Sequence, residues 1–257
     1  MLPFRDRKAA GQLLAAELKG IFSKRPVVLG LPRGGVPVAY EVAVVLQVPL
    51  EVIVTRKIGY PPRPELGVGA VAERAPGPVY DLDLLASLDI SVADLADVVA
   101  AEEAELARRV LVYRGGRPPP DVAGRCVIVV DDGLATGVTA RAALRSLRAL
   151  GAASLVLAAP VAAPSAVDAI SAEADQVVIL ASPRRLASVG ECYESFDQLT
   201  DAEVLELLRP LGSLRLSASC WRLQAALARR MRRRRSAERS SSFRPPQVPY
   251  FSGRETA

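Results

Sequence analysis

The 257-residue sequence contains no histidine. This absence excludes a histidine-dependent catalytic triad, a histidine-bound zinc ion and a histidine general base. Catalysis by this chain would depend on carboxylates, lysine, arginine, hydroxyl groups or the backbone. Aromatic residues are also scarce, at 5%, whereas hydrophobic residues make up 50% of the chain. This composition is typical of an α/β protein whose core consists mainly of Ala, Val and Leu.

Cysteine is rare and dispersed. Cys126, Cys192 and Cys220 form no CxxC pair and predict no disulfide framework. The first eight residues lack the apolar segment of a secretory signal. We therefore expect a cytoplasmic protein.

Long hydrophobic runs are missing as well. The one long uncharged run, residues 149–167, is interrupted by Gly151, Pro160 and Pro164. These breaks indicate a helix end, a strand and a loop instead of a helix that crosses a bilayer. We expect no membrane span.

Positive charge is concentrated near the end of the sequence. Residues 213–257 contain 11 Arg and two Glu, a net charge of +9, so the first 212 residues carry −4 of the total of +5. This difference predicts a domain over residues 1–212 and an Arg-rich tail over residues 213–257. The tail is predicted to form one basic amphipathic helix and then a disordered segment. It is either a solvated extension or a contact for the phosphates of nucleic acid or acidic lipid. The apolar residues at helical spacing are Leu214, Ala218, Trp221, Ala225, Ala228 and Met231.

The most informative segment spans residues 127–139. Four consecutive apolar residues predict a strand buried on both faces, and Asp131 and Asp132 follow where that strand leaves the sheet. Open α/β proteins bind ligands at this carboxyl edge. A loop of small residues then enters a predicted helix, an arrangement of backbone N–H groups that suits a phosphate. The adjacent carboxylates suit a vicinal diol better than a metal cage, which would require more oxygen ligands.

Predicted strands alternate with predicted helices along the domain, which indicates a mainly parallel twisted sheet flanked by helices. A Pro/Gly-rich stretch over residues 58–69 and a hairpin over residues 68–80 interrupt this alternation. The predicted strands are residues 27–31, 50–55, 127–130, 154–159 and 176–180, and the predicted helices include residues 7–22, 36–46, a long helix after Ser91 and residues 166–174.

Residues 127–139 resemble the signature of type I phosphoribosyltransferases, in which four apolar residues precede an acidic pair, a small-residue loop and Thr-Gly-x-Thr. The resemblance implies that fold, with a small hood, and implies that Asp131 and Asp132 bind the ribose hydroxyls of phosphoribosyl pyrophosphate. It assigns the 5′-phosphate to the loop residues Gly133, Leu134, Ala135, Thr136, Gly137 and Thr139. Gly133 departs from the family pattern, where an apolar residue is usual, and predicts a more flexible loop. The alternative is an ordinary turn followed by a helix cap.

The first predicted strand is followed by a loop that contains Arg33, Gly34 and Gly35. A guanidinium and exposed backbone amides at the same sheet edge suit a diphosphate. In the resembled family this is the pyrophosphate loop, which often contains a non-proline cis peptide, here expected near Pro32. A tight turn with an incidental arginine is the alternative.

Arg56 and Lys57 are predicted to follow the second strand and to begin a mobile lid that adds positive charge to the pyrophosphate. A solvated turn with ordinary surface charge is the alternative. Further along, residues 189–198 lie where the family has the hood that recognises the acceptor. Tyr193 or Phe196 could stack on a flat base there, or could be a core aromatic that anchors the hood.

The resemblance implies an enzyme that transfers the phosphoribosyl group to a nitrogenous acceptor, slightly favouring a purine-like base, with release of pyrophosphate. Its catalytic residues would be Asp131, Asp132, Arg33 and Lys57. Mg²⁺ would be bound mainly through the substrate and not by a protein cage. A homodimer is left open. The alternative function is a non-catalytic regulator that senses phosphoribosyl pyrophosphate and binds nucleic acid through the tail.

Overall fold

The computed structural model describes residues 2–20 and 26–209 of the chain. Its strands are β1 (Val27–Gly30), β2 (Leu50–Val52), β3 (Thr55–Tyr60), β4 (Arg63–Ala72), β5 (Val79–Tyr80), β6 (Cys126–Val130), β7 (Ser154–Val161) and β8 (Gln176–Ala181). Its helices are α1 (Arg7–Leu18), α2 (Gly35–Leu46), α3 (Leu82–Ser87), α4 (Ala96–Arg114), α5 (Val138–Ala149), α6 (Pro164–Ser171) and α7 (Asp201–Leu207).

Five strands form a parallel sheet in the order β2-β1-β6-β7-β8. The predicted mainly parallel sheet flanked by helices is confirmed. In the centre of the sheet, Gly30 at the end of β1 is paired with Val130 at the end of β6. The two loops that follow these strands therefore leave the sheet side by side, which places the predicted site residues at one edge.

Alternate residues of the central strands enter two separate cores, as the period of a strand requires. Val28 and Ile128 pack in a core with α1, α2, α4 and α7, whereas Leu29 and Val129 pack in a core with α5 and α6. Helices thus cover both faces, which explains why β1 is buried at all four positions.

The segment that was predicted to be an irregular lid is an antiparallel sheet of β3, β4 and β5. The lid prediction for residues 58–69 is therefore wrong in its structure, and Arg56 and Lys57 lie inside a strand. Glycine at position 59 allows β3 and β4 to approach closely, because a Cβ there would lie 2.4 Å from the Pro64 carbonyl oxygen. The proline and glycine content reflects this close approach and not a failure to pack.

Other boundaries differ by a few residues from the predicted ones. The long helix begins after a short 3₁₀ turn at Ala93–Leu95, where Ser91 and Asp94 exchange hydrogen bonds, and it ends at Arg114. The short helix α3 was not predicted. The first helix was predicted to run to Phe22, but it ends at Leu18, because Lys19 is extended and Gly20 has a positive φ. The tail over residues 213–257 and its boundary at residue 212 lie outside the described residues. Among the described helices, none has the length and apolarity needed to cross a membrane.

Candidate functional site

The loops after β1 and β6 are in direct contact. Leu31 N–H donates to the Val130 carbonyl oxygen at 2.9 Å, and a cis peptide joins Pro32 to Arg33. A Cβ at Gly35 would lie 2.5 Å from that same oxygen. The glycines are needed here because the backbone of the first loop lies against the acidic end of β6. The structure thus brings together two of the predicted site segments.

Each carboxylate of the acidic pair has one oxygen held by the protein. Asp131 Oδ1 accepts the Asp132 N–H at 2.9 Å, and Asp132 Oδ2 accepts Arg7 Nε at 2.8 Å. Outside the pair itself, the other two oxygens, Asp131 Oδ2 and Asp132 Oδ1, have no hydrogen-bond donor among residues 2–20 and 26–209. Two neighbouring, fixed and unpaired acceptors match the two hydroxyls of a vicinal diol.

Asp132 is more buried than a carboxylate at an exposed strand end would be. Its side chain is 13% exposed, and so is that of Arg7, with which it forms an ion pair. The pKa of Asp131 is raised well above its ordinary value, first by burial and then by the negative charge of Asp132. A ligand that brings hydrogen-bond donors or a cation favours the ionised form of Asp131.

The loop between β6 and α5 is fixed at Leu134 and open beyond it. Leu134 N–H donates to the Val161 carbonyl oxygen at 3.0 Å, and Ala163 N–H donates to the Leu134 carbonyl oxygen at 2.8 Å. Past this point most backbone N–H groups have no acceptor in the part of the chain that the structure describes; these belong to Ala135, Thr136, Gly137, Thr139 and Ala140. Unpaired N–H groups at the start of a helix form an anion-binding site.

Gly133 has a packing role in this loop. A Cβ there would lie 2.4 Å from Val189 Cγ1 and 2.8 Å from Val161 Cγ1. Val189 belongs to the segment predicted as the hood. The departure from the family pattern is therefore explained by a side chain of the hood that occupies the space, and the expected flexibility is not needed to account for it.

The first loop also presents donors. The guanidinium of Arg33 makes no hydrogen bond or ion pair with another described residue, and the N–H groups of Arg33 and Gly34 have no acceptor there. These groups lie at the same edge as the acidic pair. They are available to an anion.

The two cations of β3 are differently placed. Arg56 Nε is bound to Glu102 of α4 at 2.7 Å, so contact with a pyrophosphate would require Arg56 to leave or share this partner, and its predicted role stays a prediction. Lys57 is exposed, and its Nζ donates to the Glu65 carbonyl oxygen at 2.6 Å. A Cβ at Gly67 would lie 2.8 Å from Lys57 Cδ and 3.8 Å from Val138 Cγ1, which places the Lys57 stem close to the start of α5.

Tyr193 is a core aromatic and does not offer a face to an acceptor. It is 6% exposed, its hydroxyl donates to the Asp132 carbonyl oxygen at 2.5 Å, and its ring lies 5.6 Å from that of Phe4. The acceptor role predicted for Tyr193 is therefore wrong, and the alternative of an anchor is the correct one. Phe196 is partly exposed and stacks on Tyr193 at 5.0 Å.

Arg7 is a site residue that the sequence did not reveal. Its partner Asp132 is 125 positions away. One signal was present, since Arg7 is the first residue of α1 after the cap at Asp6. A cation is unfavourable beside the positive end of a helix, so an arginine there indicates a partner elsewhere.

A parallel sheet that presents an acidic pair, a loop of unpaired N–H groups and an Arg-Gly-Gly loop at its carboxyl edge defines the class of the type I phosphoribosyltransferase fold. The family model described as "Phosphoribosyl transferase domain" matches residues 6–191. The chain therefore belongs to the phosphoribosyl transferase domain family.

Two comparisons agree with this assignment. The chain is 44% identical over 205 residues to a Mycobacterium tuberculosis protein named "Putative phosphoribosyl transferase", and the match covers 80% of this chain and 46% of that protein. It thus spans less than half the length of that relative. The crystal structure of TT1426 from Thermus thermophilus is similar with a TM-score of 0.67 and 41% identity, over 80% of this chain and 98% of that one.

Proposed function

We propose that the protein transfers the phosphoribosyl group of phosphoribosyl pyrophosphate to a nitrogenous acceptor and releases pyrophosphate. The observation that carries the proposal is the pair of unpaired oxygens, Asp131 Oδ2 and Asp132 Oδ1, beside a loop of unpaired N–H groups. A sugar phosphate offers two vicinal hydroxyls to such oxygens and a phosphate dianion to such N–H groups.

In this proposal the loop from Ala135 to Thr139 binds the 5′-phosphate through backbone N–H groups at the positive end of α5. Asp131 and Asp132 accept the ribose hydroxyls and fix the sugar. Because Leu134 is held on both sides by β7 and the segment after it, the loop is positioned before the ligand arrives. Such positioning reduces the entropy lost in the reaction.

The leaving pyrophosphate requires donors of its own. Arg33 and the N–H groups of Arg33 and Gly34 are free to bind it. As the bond to the anomeric carbon breaks, positive charge grows on the ring and negative charge grows on the leaving group. The carboxylates and Arg33 stabilise these charges, and Lys57 at the start of α5 adds to the positive field.

Mg²⁺ fits this donor set only as an ion bound through the substrate. The described residues contain no group of three Asp, Glu, Cys or His side chains that could hold a metal, whereas diphosphate and ribose oxygens are ligands that Mg²⁺ prefers. When bound, it would neutralise charge on the pyrophosphate. Asp131 and Asp132 are the residues that would contribute water-mediated contacts.

The proposed acceptor is a flat nitrogenous base, with a purine-like base slightly preferred. Phe196 is the hood aromatic that keeps part of its surface exposed, since Tyr193 is buried. Arg7 lies 3.7 Å over the Phe196 ring and Tyr193 stacks on it, so a flat base would contact the exposed edge of Phe196, an arrangement that aromatic rings also favour. An acceptor screen with purines, pyrimidines and small amines, which measures pyrophosphate release, tests the reaction and the preference together.

Binding is tested separately from turnover. Calorimetric titration with phosphoribosyl pyrophosphate and Mg²⁺ should show one site in the unmodified chain and none in Asp131→Asn/Asp132→Asn. Asp168→Asn, on α6, is a matched control that should bind normally. Equal affinity of the double variant and the unmodified chain would remove the proposed ribose site.

The second candidate is a regulator that senses phosphoribosyl pyrophosphate and binds nucleic acid. The net charge of +9 over residues 213–257 favours it, whereas the free Arg33 favours an enzyme, because a sensor has no leaving group to stabilise. Binding without turnover of any acceptor, together with salt-dependent retention of DNA or RNA by the full chain, would establish the regulator. We also propose a cytoplasmic location and leave the homodimer as a prediction.

A further inference from the structure

Arg7 contacts both the acidic pair and the hood. Its Nε donates to Asp132 Oδ2 at 2.8 Å, and its Nη1 donates to the Asp197 carbonyl oxygen at 2.8 Å. Its guanidinium carbon lies 3.7 Å from the centre of the Phe196 ring. One side chain of α1 therefore touches the proposed ribose site and the proposed acceptor site at once.

The backbone around Arg7 reinforces this bridge. Three backbone N–H groups donate to carbonyl oxygens across this junction: Phe4 to Cys192 at 2.7 Å, Glu194 to Phe4 at 2.8 Å and Ser195 to Arg5 at 3.0 Å. The N-terminal segment is thus paired with the hood just before the chain enters α1. The hood is also joined to the end of β6 by the Tyr193 hydroxyl, which donates to the Asp132 carbonyl oxygen, and Arg7 adds a link to the Asp132 side chain itself.

The charge of Arg7 matters for the acidic pair. Two adjacent carboxylates with little exposure repel each other, and removal of the one cation that is hydrogen-bonded to Asp132 would leave that group partly buried without a counter-charge. Arg7 occupies only Oδ2, so Oδ1 stays available to a ribose hydroxyl. Arg7 therefore supports the ligand-binding form of Asp132 without competing for the oxygen that the ligand needs.

We infer that Arg7 is a positioning residue that couples occupation of the ribose site to the order of the hood. The inference rests on the proposed function. Its charge pairs with Asp132 and orients that side chain, and its contacts with Asp197 and Phe196 hold the acceptor side of the site in register with Asp132. Ligand binding at Asp132 then fixes Arg7, and through Arg7 it fixes the hood.

Two substitutions separate the two tasks. Arg7→Gln removes the charge, the stacking on Phe196 and the forked contact, in which Nε binds Asp132 while Nη1 binds Asp197. Arg7→Lys keeps a cation for Asp132 but cannot make the forked contact or the planar stack. Arg5→Gln is the matched control, because Arg5 is two residues away, has a 69% exposed side chain and pairs only with Asp6 among the described residues.

The experiment combines calorimetry with hydrogen exchange of residues 193–198, measured on the full chain with and without phosphoribosyl pyrophosphate and Mg²⁺. We expect Arg7→Gln to bind the ligand about ten- to a hundredfold more weakly, since a charge-assisted contact is lost. Arg7→Lys should bind within about threefold of the unmodified chain. In the unmodified chain and in Arg5→Gln the ligand should slow exchange in the hood, whereas in Arg7→Lys it should not.

The possible results separate this inference from the proposed function. Ligand-induced protection of the hood in Arg7→Lys equal to that in the unmodified chain, or unchanged affinity in Arg7→Gln, would overturn the coupling through Arg7. Absence of binding by the unmodified chain would instead overturn the proposed function. If Arg7→Gln fails to fold, as shown by circular dichroism, the comparison of Arg7→Lys with Arg5→Gln still decides the coupling.

Discussion

Gly34 lies directly against the carboxylate of Asp132, where a Cβ would be 2.0 Å from Oδ2. The loop after β1 and the acidic end of β6 therefore fit together only if residue 34 has no side chain. This relationship ties the proposed pyrophosphate loop to the proposed ribose site.

Gly34→Ala should reduce binding of phosphoribosyl pyrophosphate by at least about tenfold, because the methyl group must displace the Asp132 carboxylate or the loop. Isothermal calorimetry measures the loss. Gly77→Ala is the control, since a Cβ at Gly77 meets nothing within 4 Å. Normal affinity in Gly34→Ala would mean that Asp132 does not need its present position.

Asp131→Asn should stabilise the fold while it weakens ligand binding. The pKa of Asp131 is raised by burial and by Asp132, so the protonated form is the one that the folded state favours. The stability from this preference is complete below the ordinary pKa of about 3.9 and is lost as the pH rises through the raised pKa. Asparagine has no charge to bury and can still accept the Asp132 N–H through its oxygen.

The difference in free energy of unfolding between Asp131→Asn and the unmodified chain should therefore increase from pH 4 upward and level off above the raised pKa of Asp131. Urea unfolding across pH 4 to 8 measures it. Asp168→Asn on α6 controls for the general effect of removing a carboxylate. A difference that stays constant over this range would show that Asp131 is not the group with the raised pKa.

The buried pair of Arg114 and Glu73 fastens the small sheet to the rest of the domain. Glu73 also accepts the Val54 N–H at 3.1 Å, and its carbonyl oxygen accepts Ser146 Oγ at 2.6 Å. Arg114→Leu should lower the free energy of unfolding by roughly 3–5 kcal/mol, because Glu73 is left buried without its cation.

Urea denaturation tests this value against Arg209→Leu, which breaks a pair that is 70% and 65% exposed and should cost less than about 1 kcal/mol. The double variant Glu73→Leu/Arg114→Leu should lose less stability than Arg114→Leu alone. If the single and double variants were equally unstable, loss of packing and not the unpaired charge would be the cause.

The sequence was most informative where a local pattern also indicates the end of a strand. The buried run before Asp131 and the glycines after Arg33 predicted two strand exits, and the parallel order of strands brought them together. The β3–β4 hairpin was missed because the sequence around Gly59 predicts an interruption of regular structure. In the fold, Gly59 instead allows Pro64 of the neighbouring strand to approach closely.

Long-range charge pairing was equally hidden. Arg56 and Lys57 are neighbours in sequence, but strand alternation sends one to Glu102 of α4 and the other toward the start of α5. Arg7 contacts Asp132 only because the fold places the first residue of α1 beside the end of β6, 125 positions further along the chain. These contacts depend on the completed fold, so no spacing in the sequence encodes them.

Gly133 offers a test of how the hood packs on the loop after β6. Gly133→Ala should destabilise the fold by about 1–3 kcal/mol, because the new methyl group would lie 2.4 Å from Val189 Cγ1. Adding Val189→Ala removes the carbons of the hood that obstruct it, so the double variant should be more stable than the sum of the two single effects predicts. The remaining contact with Val161 limits how much stability the double variant regains. Urea unfolding of the single and double variants measures the double-mutant cycle. Additive losses of stability would show that Val189 does not pack on this loop in solution.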